Sequence, residues 1–322
     1  MGRPLIINAY MDTAVPHKRD VLKALVAGAK NRHDLYMLAS HSPMFIPSDI
    51  AIIMGYFLPH HKNTPKSRFR RIIYEEQKKA GNECIFVDSD PFKGMDGVER
   101  DRTTQHYRLP YKEIYSSETG GAEFYNQNSP SYRWEELKKK RQITVKDWRA
   151  TGSHIVLLTQ KNKNQSWSIK DRNYLEWANE TLIQLREYSD RPVIVRAHPK
   201  VPLKKKDIQD PIDKFSIVNA ANVPIKDTME NAWASLVYSS SSAVGSVING
   251  VPVFPGDDSC LTWPLGNHDL SKIEDPEMVN IQQWLWDLAY AMWDLEEMSS
   301  GKFWDHFMKG YNNDKSIQNN NT

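Results

Sequence analysis

A His-Pro pair stands between an apolar stretch and a run of lysines in "RPVIVRAHPKVPLKKKD", residues 191–207. His198 directly follows the apolar stretch, and Pro199 stiffens the turn after it. An imidazole fixed at this position can donate a hydrogen bond to a phosphate oxygen and, when protonated, offset the charge of an anionic leaving group. Arg196 and Lys200 add positive charge beside it. Taken alone, the pair could equally be a loop histidine next to a proline.

A run of four serines lies about forty residues further on, in "LVYSSSSAVGSVINGVPVF". The pattern predicts a strand that delivers Ser239, Ser240, Ser241 and Ser242 to the start of a helix, where free N–H groups and hydroxyls favour an anion such as phosphate. The alternative is that one serine caps the helix and the others fill a turn. The chain contains neither GxxxxGK[ST] nor GxGxxG, so ATPase and nicotinamide-dependent activities are not indicated.

Aspartates follow two apolar stretches in the first half of the chain. Asp88 and Asp90 come at the end of "ECIFVDSD", and Asp12 follows the first apolar stretch in "NAYMDTAVP". Such carboxylates could hold a divalent metal, could act as a general base that removes a proton from a hydroxyl, or could satisfy local backbone groups. We favour the general base, with Asp88 or Asp90 in that role and Asp12 as a second candidate whose alternative is a helix cap.

The elements that must position these residues follow an α/β pattern. Apolar strands alternate with helical segments, which indicates two parallel sheets covered by helices on both faces. The predicted strands are 4–10, 34–40, 50–56, 83–88, 153–160, 191–197, 214–218, 234–240 and 251–255. Residues 92–150 break the pattern and are predicted to form a long irregular segment that is either functional or disordered.

We therefore predict two Rossmann-like domains that face each other across a cleft. Residues 1–150 form the first, residues 151–285 the second, and residues 286–322 are C-terminal helices that return to the first domain and end in a frayed tail. In open α/β sheets ligands bind at the carboxyl ends of the strands, so the site is expected in the cleft.

Composition excludes several classes of protein. Hydrophobic residues at 40% and charged residues at 25% are typical of globular chains, and the net charge is only +2. Two cysteines are too few for a disulfide framework, and no apolar run reaches the length of a membrane span or a signal peptide. The sequence thus predicts a cytoplasmic protein, which for a phage-encoded enzyme means the host cytoplasm.

The His-Pro pair and the serine run, in this order and spacing, resemble elements of two-domain glycosyltransferases of the GT-B fold. The resemblance is to bacterial sialyl- and Kdo-transferases and capsule polysaccharide synthesis proteins, and it is clearest over residues 190–255. It implies that His198, Pro199 and the four serines contact the phosphate of a nucleotide-sugar donor. It also implies an acidic pair followed by glycine, but here Asp88 and Asp90 precede a proline.

The resemblance also concerns the C-terminal helices, which in GT-B proteins commonly cross back to the first domain. Four tryptophans of this region would then anchor the two domains to each other, or they belong to the core of the second domain. They are Trp284, Trp286, Trp293 and Trp304.

The acceptor has two alternatives. Basic runs at 66–71, 138–142 and 200–207, with aromatic residues in the irregular segment, suit double-stranded DNA that carries hydroxymethylated pyrimidines, a phage DNA modification. The rival acceptor is a surface or capsule glycan, and solvated helix faces would explain the same charges. The alternative to a glycosyltransferase is an epimerase-like enzyme or a nucleotide-sugar-binding protein, which would use no acceptor.

The expected activity is transfer of a sugar from a UDP- or CMP-sugar to an acceptor hydroxyl. No cofactor and no divalent metal are expected to be required. Asp88, or failing it Asp12 or Asp90, deprotonates the acceptor, while His198 and the serine run stabilise the departing phosphate.

Overall fold

The computed structural model describes residues 3–30, 32–55, 64–92, 105–112, 128–160 and 173–320. The first sheet is parallel, with the strand order β2-β1-β3-β4. Its strands β3 and β4 are almost entirely buried, as expected for a parallel sheet covered on both faces. These strands and their two helices are β1 (Leu5–Tyr10), α1 (Arg19–Gly28), β2 (Leu35–Ser40), β3 (Ile50–Met54), α2 (Pro65–Lys79) and β4 (Glu83–Val87).

The second sheet is also parallel, and its order is β10-β9-β6-β7-β8. The central strand β6 therefore has β7 on one side and β9 on the other. These strands are β6 (His154–Leu158), β7 (Val193–Ala197), β8 (Phe215–Asn219), β9 (Ala232–Val237) and β10 (Val253–Pro255). Their helices are α4 (Tyr174–Leu185), α5 (Ile225–Thr228) and α6 (Ser242–Ile248). The predicted alternation of strands and helices is confirmed in both halves.

The segment predicted to be irregular, 92–150, contains regular structure where it is described. Strand β5 (Tyr107–Arg108) pairs antiparallel with β11 (Met292–Trp293), and α3 (Tyr132–Arg141) packs against α7 (Gln282–Tyr290). Trp134 and Leu137 on α3 are buried in the core of the second domain, and this burial stabilises a helix whose sequence is otherwise very polar. The prediction of an irregular segment was wrong for these residues.

The C-terminal helices α8 (Leu295–Ser299) and α9 (Lys302–Asn320) return to the first domain, as predicted. Phe303 and Phe307 lie in the same buried cluster as residues of α1, and Trp304 donates a hydrogen bond from Nε1 to the carbonyl of Leu25 at 2.8 Å. Helix α9 continues to Asn320, although the sequence predicted a frayed tail from about residue 312. Among the described residues, no helix has the length and apolar character needed to cross a bilayer.

The four tryptophans divide between the two cores. Trp293 and Trp304 are buried with residues of the first sheet. Trp284 is buried in the second core, where its Nε1 donates to the carbonyl of Leu261 at 3.1 Å, and Trp286 packs against the same cluster. The anchoring role that the resemblance implied thus fits the later pair, while the earlier pair are ordinary core residues of the second domain.

The contact between α1 and the turn that joins α8 to α9 is close enough to test by mutation. A Cβ atom at Gly28 would overlap the carbonyl oxygen of Met298 and lie 3.0 Å from the nitrogen of Gly301. Gly28→Ala is therefore expected to destabilise the protein by about 2 kcal/mol and to lower the thermal midpoint by about 5 °C, although alanine normally favours a helix. Thermal unfolding followed by circular dichroism measures this shift.

The exposed neighbour on the same helix gives the matched control. Ala27→Gly lowers helix propensity at an exposed position of α1, so it should cost no more than about 1 kcal/mol. A Gly28→Ala midpoint at or above that of the unchanged protein would contradict the close packing described here.

Candidate functional site

The carboxyl ends of three neighbouring strands bring the predicted histidine and serines to one edge of the second sheet. His198 follows β7, Thr159 and Gln160 follow β6, and Ser239 lies just after β9. Because β6 lies between the other two strands, the two outer ends are separated by two strand spacings, about 10 Å. The chain runs from β6 through β7 to β8 on one side of the sheet and then crosses to β9 and β10 on the other side of β6. The strand order thus reverses beside β6, and such a switch point is where α/β sheets bind ligands.

His198 is held by backbone contacts on both sides. Its N–H donates to Oγ1 of Thr159 at 2.8 Å, and its Nδ1 accepts a hydrogen bond from the N–H of Lys200 at 3.1 Å. The N–H of Val201 closes the His-Pro turn on the carbonyl of His198 at 2.9 Å. Since Nδ1 accepts, the hydrogen of the neutral ring is on Nε2, which makes Nε2 a hydrogen-bond donor on a half-buried ring.

Thr159 connects two neighbouring strands at this edge. Its hydroxyl donates to the carbonyl of Arg196 at 3.0 Å while it accepts from His198. Both bonds are local to the strand ends, so they fix the start of the His-Pro turn relative to β6. Thr159 is thus a positioning residue, and the sequence analysis did not identify it.

The serines form a compact turn into α6. Ser239 is buried, and its N–H and hydroxyl donate weakly to Oε1 of Gln160 at 3.4 and 3.5 Å. The hydroxyl of Ser240 donates to that of Ser242 at 3.3 Å and accepts from the N–H of Ser242 at the same distance. Ser241 is exposed at the N-cap without a capping side-chain bond.

The start of α6 has N–H groups that can donate to an anion. Among the described residues, no hydrogen bond uses the N–H of Ser240 or of Ser241. Helix α6 is only seven residues long, so its dipole contributes less than the sequence pattern suggested. Anion binding at this turn would depend chiefly on the N–H groups and hydroxyls themselves.

The two cations predicted beside His198 differ in exposure: Arg196 is buried and Lys200 is exposed. Arg196 is buried and donates from Nη1 to the hydroxyl of Thr228 on α5 at 2.6 Å, and burial lowers the pKa of its guanidinium. The side chain thus fastens α5 to the sheet, and its contact with the donor stays a prediction. Lys200 and Pro199 are exposed on the turn beside His198.

Asp88 and Asp12 each lie at the carboxyl end of a strand of the first sheet. Arg108, which is fully buried, donates from Nη2 to Oδ2 of Asp88 at 2.7 Å, and the Asp88 side chain is 25% exposed. Arg19 donates from Nη2 to Oδ1 of Asp12 at 2.8 Å, with the Asp12 side chain 28% exposed. In each aspartate the second carboxylate oxygen accepts no described hydrogen bond, so either could still receive a proton.

Asp90 has a different environment. Its Oδ2 accepts from Nη1 of Arg141 at 2.6 Å, its Oδ1 accepts from the N–H of Phe92 at 2.8 Å, and the side chains of Asp90 and Arg141 are each 1% exposed. A carboxylate buried in such an ion pair cannot reach an acceptor hydroxyl. The prediction of Asp90 as a general base is therefore not carried further, and neither is a metal shared by Asp88 and Asp90.

One group of potential metal ligands occurs among the described residues, formed by His106, Asp294 and Glu297, whose ligand atoms lie within 4.8 Å of one another. Asp294 accepts from Lys140 at 2.7 Å, Glu297 accepts from both Nη atoms of Arg133, and the two acids form the capping box of α8. All four carboxylate oxygens are therefore already occupied. The group borders a cavity of about 520 Å³ that neither His198 nor the serines line, and we interpret it as structural.

This group predicts a pH dependence of stability. Burial lowers the pKa of His106 to about 4; Arg141 and Lys140 act in the same direction, and Asp294 and Glu297 oppose them. Between pH 6.5 and 4 the unfolded chain therefore binds the proton that the folded chain excludes. Stability falls as the pH is lowered through this window, by up to about 3 kcal/mol from this residue.

Substitution isolates that contribution. His106→Gln cannot titrate, so the difference in free energy of unfolding between pH 7.5 and pH 4 should be smaller in this variant than in the unchanged protein. Denaturant unfolding at several pH values measures both slopes, and His33→Gln, at an exposed histidine, serves as the control. Parallel pH curves for the unchanged protein and His106→Gln would contradict the prediction.

The known proteins to which this chain is similar are solved structures. No protein-family model matches the chain, and no curated protein matches it. A structure of Thermosulfurimonas dismutans KpsC, described as a beta Kdo 2,7 transferase, is similar with a TM-score of 0.50 and 13% identity, over 92% of this chain and 98% of that chain.

Two further structures are similar at lower scores. The T. dismutans KpsC described as a beta Kdo 2,4 transferase has a TM-score of 0.48 and 10% identity, over 90% of this chain and 91% of that chain. The glycosyltransferase SnogD from Streptomyces nogalater has a TM-score of 0.29 and 10% identity, over 95% and 99%. At such low identity, the likeness to the first structure concerns the fold. The chain thus has the predicted α/β fold: two Rossmann-like domains facing across a cleft, of the GT-B type, with C-terminal helices that cross back to the first domain.

Proposed function

We propose that this protein is a glycosyltransferase that moves a sugar from a UDP- or CMP-sugar to an acceptor hydroxyl. The observation that carries the proposal is the arrangement of His198 and the serine turn at the switch point of the second sheet, joined through Thr159 and Gln160. The likeness in fold to a Kdo transferase supports it. The first sheet with its helices would bind the acceptor, and the second sheet, against which α3 packs, the donor.

The proposed reaction uses one group on each domain. Asp88, or failing it Asp12, takes the proton of the acceptor hydroxyl, whose oxygen forms a bond to the anomeric carbon. The bond between that carbon and the donor phosphate breaks, and its electron pair stays on the phosphate oxygen. Nε2–H of His198 and the N–H groups of the serine turn stabilise the charge that develops there. None of these steps requires a metal ion.

The environment of two of the three basic runs favours a glycan acceptor over DNA. On α2, Lys66 donates to the carbonyls of Asp12 and Ala14, and Arg70 donates to the carbonyl of Thr13. On α3, Arg141 and Lys140 form ion pairs with internal carboxylates. These four charges make contacts within the protein, which leaves fewer basic groups on α2 and α3 to bind a phosphate backbone, while the lysines of 200–207 are exposed.

The described aromatic residues that suggested base stacking also make contacts within the protein. Trp134 is buried, and the exposed Tyr132 packs edge-on against Tyr290. Tyr115 and Tyr125 lie outside the described residues. We therefore propose a surface or capsule glycan as the acceptor, within the cytoplasm.

A screen of donors against acceptors tests the proposal. CMP- and UDP-sugars are each incubated with capsule oligosaccharides and with hydroxymethylated DNA, with and without EDTA, and the products are weighed by mass spectrometry. We expect one oligosaccharide to gain the mass of one sugar, equally in EDTA. A donor sugar that is isomerised without any acceptor would instead identify an epimerase, and the absence of any glycosylated product from every donor and acceptor pair would overturn the proposal.

A further inference from the structure

The side chain of Gln160 has one polar group without a partner. Gln160 is 2% exposed, and its Nε2 atom has no hydrogen-bond partner among the described residues. An amide N–H that is buried and unpaired costs about 1–3 kcal/mol, so such groups in a folded protein call for an explanation.

The orientation of this amide follows from its neighbours. The N–H of Ser239 can only donate, and it lies 3.4 Å from the amide of Gln160, so the oxygen of the amide must face it. The nitrogen Nε2 is then the group left over. Exchange of oxygen and nitrogen would place two donors against each other.

Its position in the sheet connects this donor with the proposed site. Gln160 follows the central strand β6, between His198 after β7 and Ser239 after β9, at the switch point. The sequence identified His198 and the serines, which follow the strands on either side of β6, but it identified no residue after β6 itself. Gln160 fills that central place.

The bonds that hold Gln160 are weak enough to be exchanged. Its two bonds from Ser239, at 3.4 and 3.5 Å, are at the long limit for hydrogen bonds, so little is lost when the amide rotates. A phosphate oxygen that arrives at this edge would give Nε2 an ionised acceptor, and bonds to ionised groups are stronger than those between neutral groups. Ligand binding thus satisfies a donor that the unbound protein leaves unpaired.

We propose that Nε2 of Gln160 donates a hydrogen bond to a phosphate oxygen of the nucleotide donor and so recognises phosphate at the centre of the site. This inference rests on the proposed function. It assigns to Gln160 part of the affinity for the phosphate group, while the base and ribose are recognised elsewhere.

Two substitutions separate this role from a structural one. Gln160→Met keeps the approximate size of the side chain and removes the donor, and Gln160→Glu keeps an oxygen for Ser239 but places a negative charge toward the phosphate. Gln184→Glu is the matched control, because it makes the same change on an exposed face of α4 in the same domain. Thermal midpoints identify any variant that fails to fold, and Gln160→Met then carries the test alone if Gln160→Glu does not fold.

Calorimetric titration with CMP, UDP, cytidine and uridine gives the readout. We expect Gln160→Met to weaken nucleotide binding about 10-fold and Gln160→Glu at least 30-fold. Binding of the uncharged nucleosides should change less than threefold, which a merely structural defect would not spare. Gln184→Glu should bind like the unchanged protein.

The outcomes distinguish the two proposals. If the unchanged protein binds CMP or UDP and both Gln160 variants bind within threefold of it, the role of Gln160 is wrong and the proposed function stands. Equal weakening of nucleotide and nucleoside binding would also overturn the phosphate contact. If the unchanged protein binds neither CMP nor UDP, both proposals fail.

Discussion

His198→Ala is expected to lower the rate of sugar transfer at least 100-fold while the protein remains folded. The phosphate that departs from the sugar gains negative charge in the transition state, and removal of one donor from such a site typically costs about 10²–10³ in rate. The N–H of Lys200 donates to Nδ1 of His198 and so fixes the orientation of the ring. A water molecule in place of the ring would not be held in that orientation.

The structure also predicts that this variant is stable. His198 is half-buried in a turn whose backbone bonds to Thr159 and Val201 use its N–H and carbonyl, and alanine retains both groups. We therefore expect a change in thermal midpoint of no more than about 2 °C. Initial rates and thermal unfolding are measured on the same preparation.

A second histidine of the same sheet supplies the control. His154 lies at the start of β6, the opposite end from the site, where its Nε2 lies 3.3 Å from the carbonyl of Thr228. His154→Ala should keep at least half of the activity. Full activity of His198→Ala would contradict the proposed role of the imidazole.

Asp88→Asn is expected to lower kcat by at least 100-fold, since general-base catalysis typically contributes about 10²–10⁴ in rate. The asparagine keeps an oxygen that can accept from Arg108, and the backbone bonds between residues 88 and 108 are unchanged. It cannot accept the proton of the acceptor hydroxyl. The affinity for the nucleotide, which we propose to bind to the other domain, should be unaffected.

The buried Arg108 makes a stability control necessary for this variant. Loss of the carboxylate breaks the ion pair between Asp88 and a fully buried guanidinium, which can destabilise the protein by about 3–5 kcal/mol. Rates are therefore compared below the thermal midpoint of the variant, together with the pH dependence of the rate. Loss of the acidic limb of the pH–rate profile distinguishes a missing base from a misfolded site.

Asp12→Asn tests the alternative base in the same assay. If Asp12 is the base, this variant loses activity and Asp88→Asn keeps it. Near-normal rates in both variants would show that neither carboxylate takes the proton.

Local sequence patterns predicted the parts of the structure that depend on local chemistry. Apolar strands such as "IAIIM" and "HIVLL" identify themselves by composition, and the polar residues that follow them lie at the ligand-facing edge of a parallel sheet. This is why His198 and Ser239 could be placed at one edge from the sequence.

Contacts between distant residues account for what the sequence did not predict. Asp90 is neutralised by Arg141, which is 51 positions away on a helix that the sequence did not reveal. Arg196 lies near the end of β7, and its side chain donates to Thr228 on α5, which is 32 positions later in the chain. Thr159 and Gln160 gave no motif, but their place directly after "HIVLL" is a signal that the strand pattern could have supplied.

The most direct test of the central claim is a crystal structure of the protein with CMP or UDP bound. We predict that a phosphate oxygen lies about 2.7–3.2 Å from Nε2 of His198 and at a similar distance from the N–H groups of Ser240 or Ser241. A nucleotide bound instead in the cavity beside His106, or with its phosphate away from the carboxyl ends of β6, β7 and β9, would contradict the account.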